Sequence, residues 1–204
     1  MEPLESLLER IAAGTPTPGG GAVSAICGAM STALSRMVAN LAAGKQGYEA
    51  AQAELAAIEA RGKALQQRFL ELAKEDEKAY DAVVAAMRLP KANDVERATR
   101  KDAMQAAYKR ATEVPMEIIR ASLDALEIAR LAAERGSRSA ITDVGVGTLL
   151  AQAAMRGGAL NVRINLAAIA DAAWRAAVDE ELEKILANGA TLAHAVDDLV
   201  NERL

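Results

Sequence analysis

The chain is short of the residues that anchor most small folds and most catalytic sites. It has one cysteine, Cys27, which excludes a disulfide framework and a cysteine-built zinc site. Its one histidine, His194, excludes a histidine-cluster metal site and argues against a Ser-His-Asp triad. No metal site is therefore expected. Aromatic residues make up 2% of the chain although the hydrophobic fraction is 51%, and alanine fills much of the gap. Alanine favours helices, whereas strands favour β-branched and aromatic residues, so an all-β fold is nearly excluded. Apolar content this high also argues against disorder. Positive charge is not in excess: 24 Lys and Arg face 28 Asp and Glu, a net charge of −4. A nucleic-acid partner is not expected from that balance. The most apolar run, 22–43, is rich in Ala, Ser and Gly and carries Arg36 and Asn40, where a membrane span of about 20 residues would be oilier. Glu2, Glu5 and Glu9 stand where a secretory signal would carry positive charge, so a cytoplasmic location is expected.

What is present reads as helix. Leu4, Leu7, Leu8 and Ile11 repeat at helical spacing, and Gly14 ends that segment. The turn Thr15-Pro16-Thr17-Pro18-Gly19-Gly20-Gly21 cannot be helical. A second helix is expected over 22–43, apolar on nearly all sides and hence buried. A third, over 48–88, is expected to be the longest, about 60 Å. A rod of that length overhangs a compact monomer and predicts an elongated bundle paired with a second copy. Asn93 with Glu96 reads as a capping box for a fourth helix reaching about Arg135, which Pro115 should kink or break. After the polar connection 137–142, another apolar helix is expected over 143–170. A charged helix should then end at Asn188-Gly189, with a short one beginning at Thr191. The whole chain, 1–204, reads as one all-α domain of long antiparallel helices.

Some polar residues fall where the periodicity asks for oil. The third helix's apolar seam, Leu65, Phe69, Leu72, Tyr80, Val83 and Met87, passes through Asp76. A buried carboxylate is costly unless paired or used, and burial raises its pKa. Thr32, Arg36 and Asn40 form a polar line on the second helix, and Asn161, Arg163 and Asn165 interrupt an apolar helix. Together these predict a shared polar pocket, against the alternative that each is satisfied separately. The glycines at 19–21 open a helix whose free N–H groups attract anions, though no Walker or dinucleotide motif surrounds them. Cys27, Trp174 and the methionines read as core or interface. His194 and the charges of 179–184 read as surface.

Read together, these motifs resemble the cyclodeaminase/cyclohydrolase family. The resemblance rests on Thr15 through Ala25, Met37-Val38-Ala39-Asn40-Leu41, Gly44-Lys45 and Tyr48. It resumes at Asp76 and Tyr80, at Leu89-Pro90-Lys91 and at Ala111-Thr112-Glu113-Val114-Pro115. It ends with Thr142-Asp143-Val144-Gly145-Val146 and Asn161-Val162-Arg163-Ile164-Asn165. It spans about residues 4 to 180. Two departures stand out: Gly136-Ser137 where the family usually shows Gly-Asn, and Thr142 where it shows serine.

The resemblance implies an all-helical homodimer that binds a tetrahydrofolate derivative as substrate, with no prosthetic group. Two chemistries are implied. One is hydrolysis of the methenyl bridge of methenyltetrahydrofolate. The other is ring closure of formiminotetrahydrofolate with loss of ammonia. A non-catalytic helical scaffold of the same fold ranks below both. The methenyl carbon is already an electrophilic amidinium, so a carboxylate that steadies the cation and accepts the water's proton suffices. On this reading Asp76, Asp143 and Lys45 are catalytic. Pro18, Gly19, Gly20, Gly21, Arg36, Asn40, Tyr48, Tyr80, Lys91, Asn161 and Asn165 bind substrate, the basic residues facing the anionic folate tail.

Overall fold

Capping and turn chemistry place most helix ends where the periodicity puts them. In the computed structural model, which describes residues 3–204, the Asn93 side chain accepts the Glu96 N–H at 2.9 Å. The Glu96 carboxylate reaches back to the Ala92 N–H at 2.7 Å. Gly44 and Gly47 hold positive φ in the turn after the second helix, a region glycine enters without strain. Glu2, part of the acidic N-terminal reading, lies outside the described residues.

Among the described residues six helices result: α1 (Leu4–Ala12), α2 (Gly20–Ala42), α3 (Gln52–Met87), α4 (Asp94–Arg135), α5 (Ile141–Leu166) and α6 (Ala172–Asn201). Single 3-10 turns at Glu49–Ala51 and Arg138–Ala140 lead into α3 and α5. There is no strand among the described residues. Helices α2 to α5 form an up-down-up-down bundle, and α6 covers α4 and α5. Cross-contacts fix the antiparallel sense: Gly21 lies beside Asp76, Gly28 beside Phe69, and Gly62 beside Arg36. The core centres on Phe69, Leu72, Ile118, Ile119 and Leu126, packed among alanines. A Cβ at Gly28 would fall 2.3 Å from the Phe69 ring, so this seat exists only because residue 28 has no side chain.

Several expectations are corrected. The longest helix is α4, 42 residues or about 63 Å, rather than α3 with 36. Pro115 does not break α4, which runs through it to Arg135. Helix α6 runs unbroken through Asn188-Gly189. Gly189 is buried, and a Cβ there would meet Met155 Sδ at 2.4 Å, so this glycine serves close packing rather than termination. The stripe through α3 drifts: Tyr80 and Met87 are exposed, and the buried side continues through Ala79, Val83 and Ala86. Helix α2 is long and apolar enough to cross a membrane by composition, but 56% of its most apolar window is buried in the bundle. It is not buried all round, because Met30, Met37 and Leu41 face outward.

Candidate active site

The N-terminus of α2 lies against a half-buried carboxyl of α3. Gly19 is the N-cap, and its extended backbone turns the preceding segment, with Pro18 buried beneath it, into the first turn of α2. Asp76, on α3, lies directly over this turn. A Cβ at Gly21 would sit 2.2 Å from Asp76 Oδ1 and 2.5 Å from Cγ, so only glycine leaves room for the carboxyl. The Ala22 N–H donates to that carboxylate. Burial pushes the Asp76 carboxyl above the usual aspartate range; the Ala22 N–H works against that push, and nearby Glu77 adds to it. A carboxylate at a helix N-terminus also gains from the helix dipole.

From α5, Asn161 closes another side of the niche. Its Nδ2 lies 3.6 Å from where a Gly20 Cβ would be, and it donates to Gly157 O of its own helix at 2.9 Å. Ser24, one turn into α2, donates to Gly20 O and fills the space over Gly157. Tyr80 is exposed one turn beyond Asp76 on α3. Pro18, the three glycines, Asp76, Tyr80 and Asn161 thus share one end of the bundle.

The remaining candidates are elsewhere, and the single shared polar pocket is corrected to several separately satisfied groups. Thr32 is buried and donates to Gly28 O and Ala29 O of its own helix. Arg36 grips Glu59 of α3 through Nε and Nη2 and donates from Nη1 to Gln66, while Asn40 donates to the same Glu59. That pairing holds Glu59 below the usual carboxylate range, and it occupies the guanidinium proposed for the folate tail. Arg163 pairs with exposed Glu183, and Asn165 donates to Ala111 O. Lys91 is exposed in the α3–α4 connection.

Lys45 and Tyr48 follow the C-terminus of α2, whose 23 residues span about 35 Å. Asp143 lies in the first turn of α5, 18 residues before Asn161 on the same side of that helix, hence about 27 Å away. In one chain Asp76 therefore meets neither Lys45 nor Asp143. Around the Lys45 end, the Tyr48 hydroxyl accepts the Arg138 N–H, and the Ser137 N–H donates to Val38 O. A depression of about 510 Å³ there is lined by Tyr48, Gly136, Arg138 and Arg203, among others. Glu59, Gln66 and Arg138 are polar residues that the periodicity did not single out. Their only sequence signal is ordinary polarity, and their partners, Arg36 and Tyr48, lie 23 to 90 residues away. Ser24 is buried and bonds within its own helix, to Gly20 O. Among the described residues, no group of three or more His, Cys, Asp or Glu is arranged to hold a metal ion.

Comparison with known proteins adds four similarities. A family described as formiminotransferase-cyclodeaminase matches residues 3–184. The methenyltetrahydrofolate cyclohydrolase of Methylorubrum extorquens is 36% identical over 203 residues, covering 100% of this chain and 98% of that protein. The formimidoyltransferase-cyclodeaminase of Sus scrofa is 27% identical over 99% of this chain, but only 37% of that longer protein is matched. A crystal structure of formiminotetrahydrofolate cyclodeaminase from Thermotoga maritima has the same fold, with a TM-score of 0.89, 31% identity and coverage of 98% and 96%.

Proposed function

The chain belongs to the formiminotransferase-cyclodeaminase family, and we propose that it is a methenyltetrahydrofolate cyclohydrolase, converting the methenyl bridge to 10-formyltetrahydrofolate. The observation that carries this reading within the molecule is the Asp76 niche. A half-buried carboxyl is held over a glycine helix start with its pKa raised. Such a group is a better proton acceptor than a free aspartate. The bridge carbon bonds two nitrogens and carries positive charge, so water adds to it without a bound electrophile. Asp76 steadies that cation and takes the water's proton. Asp76 returns that proton to one nitrogen as its bond to the carbon breaks, and the adduct's hydroxyl becomes the formyl C=O as its own proton passes to solvent. Asn161 offers its remaining amide donor and its acceptor to the polar edge of the pterin. The reaction so written uses no prosthetic group. We place it in the cytoplasm.

We also propose a homodimer, and it completes the site. The outward face of α2, with Met30, Met37 and Leu41, runs beside that of α5, with Val146, Leu149, Leu160 and Ile164. Leu34 beside Gly147 ties the two helices together. An apolar face across two helices seeks a partner. A two-fold axis through its middle pairs the helices antiparallel, so the Lys45, Tyr48 and Asp143 end of one protomer faces the Asp76 end of the other.

The experiment is direct. Purified protein with methenyltetrahydrofolate should lose methenyl absorbance without releasing ammonia. Ammonia release from formiminotetrahydrofolate would favour the cyclodeaminase reading, which the Thermotoga maritima relative supports. Turnover of neither folate would overturn both.

A further inference from the structure

Pro115 is buried in the middle of α4. Proline has no N–H, and its ring crowds the carbonyl four residues earlier, so Ala111 O loses its helical partner. Ala111 is buried, and a buried carbonyl left without a donor is destabilising. A different helix supplies the donor: Nδ2 of Asn165, on α5, reaches Ala111 O at 2.6 Å. The two helices are close enough for this because residue 158 is glycine. A Cβ there would fall 2.8 Å from Ile119 Cγ1 and 3.2 Å from Pro115 O.

We propose that Asn165 is a positioning residue, not a substrate ligand: its amide stands in for the N–H that Pro115 removed. The bond sets the rotation and register of α5 against α4. Asn161 lies one turn earlier on α5, so the same bond fixes where Asn161 stands against the α2 glycines. Two motifs more than forty residues apart are thereby one physical unit. Only a donor serves at position 165, because the group opposite is a carbonyl. An aspartate of the same size presents acceptors and fails. The need for the donor exists only while residue 115 is proline. The catalytic consequence rests on the Asp76 niche being the active site.

The test is a double-mutant cycle on the full-length protein with Asn165→Ala, Pro115→Ala and the pair, plus Asn165→Asp, read by Tm and by kcat/KM. With Pro115 present, Asn165→Ala should lower Tm by about 2–8 °C. It should lower kcat/KM about tenfold or more, through kcat as well as KM. Asn165→Asp should be no better. In the Pro115→Ala background the restored N–H should abolish most of both losses. Equal losses in both backgrounds would overturn the proposal. Coupling in Tm with no rescue of kcat/KM would overturn the positioning role and leave a brace. Should Pro115→Ala not fold, Asn165→Asp against Asn165→Gln decides: equal Tm and KM for the acceptor and the donor overturn the proposal. If the wild-type chain turned over neither folate, loss of Tm coupling would still overturn the bond, and its presence would place the failure in the functional reading.

Discussion

Gly21→Ala separates the Asp76 niche from the stability of the bundle. Inside a helix alanine is about 0.8–1.0 kcal/mol better than glycine, so propensity alone predicts a more stable protein. At residue 21 the new Cβ would meet three atoms of one carboxyl at 2.2–2.5 Å. The carboxyl has to turn off its seat and give up the Ala22 N–H. Losing a hydrogen bond to a charged group costs about 1.5–3 kcal/mol. Release of the carboxylate from its half-buried site to water offsets part of that cost, as does the propensity gain. The opposing contributions are of similar size, so the fold should stay within about 2 kcal/mol of wild type. Catalysis has no such compensation: a positioned general base contributes about 10²–10⁴-fold. The assay is kcat/KM from loss of methenyl absorbance, with a thermal melt on the same sample. Gly20→Ala is the neighbouring comparison, because its Cβ meets only Asn161 Nδ2 at 3.6 Å, an ordinary contact. It should leave the Asp76 seat intact and lose far less activity. A folded Gly21→Ala protein with kcat/KM within tenfold of wild type would refute the assignment of Asp76.

Asp76→Asn should lose turnover by about 10²–10⁴-fold while melting no lower than wild type at neutral pH. Burial raises the Asp76 pKa above 3.8, so its favourable contribution is present below that value and is lost as pH rises through the raised one. The Tm difference should therefore widen in favour of Asp76→Asn between pH 3.8 and neutrality, and a flat difference in a melt series would contradict this. Leu149→Glu puts a charge on the outward face of α5, where Leu149 is 62% exposed in one chain. It should sediment as a folded monomer with kcat/KM depressed, and a protein still dimeric at micromolar concentration would dismiss the proposed pairing.

Helix content and most boundaries were legible because they depend on local chemistry. Asn93 with Glu96, and the glycines at 44, 47 and 136, act on their neighbours. Asp76 was legible as well, since a carboxylate on an apolar stripe is out of place whatever it faces. The pairing of polar groups was not. Periodicity says that Arg36 and Asn40 share a side of α2 but not that Glu59 waits across from them, 23 and 19 residues away. Pro115 announces a missing donor, while the replacement at Asn165 is visible only once α4 and α5 are packed. Gly189 was misread for a related reason. Glycine interrupts helices in isolation, but where two helices nearly touch it is the residue that lets them do so.

The glycine seats along these helices have a consequence for how the chain tolerates change. Phe69, Arg36, Ile119 and Met155 each occupy the hollow above a glycine, at residues 28, 62, 158 and 189. Much of the remaining interior is alanine, which has only one methyl group to lose. Trimming such an interior frees little volume, whereas adding a single carbon at a seat drives an atom into a neighbour. Mutational drift in this protein should run as a one-way valve, with trimming of the interior alanines partly absorbed and enlargement of the small residues purged. A deep mutational scan of α2 and α5 would display it as columns of small residues intolerant of every gain in size.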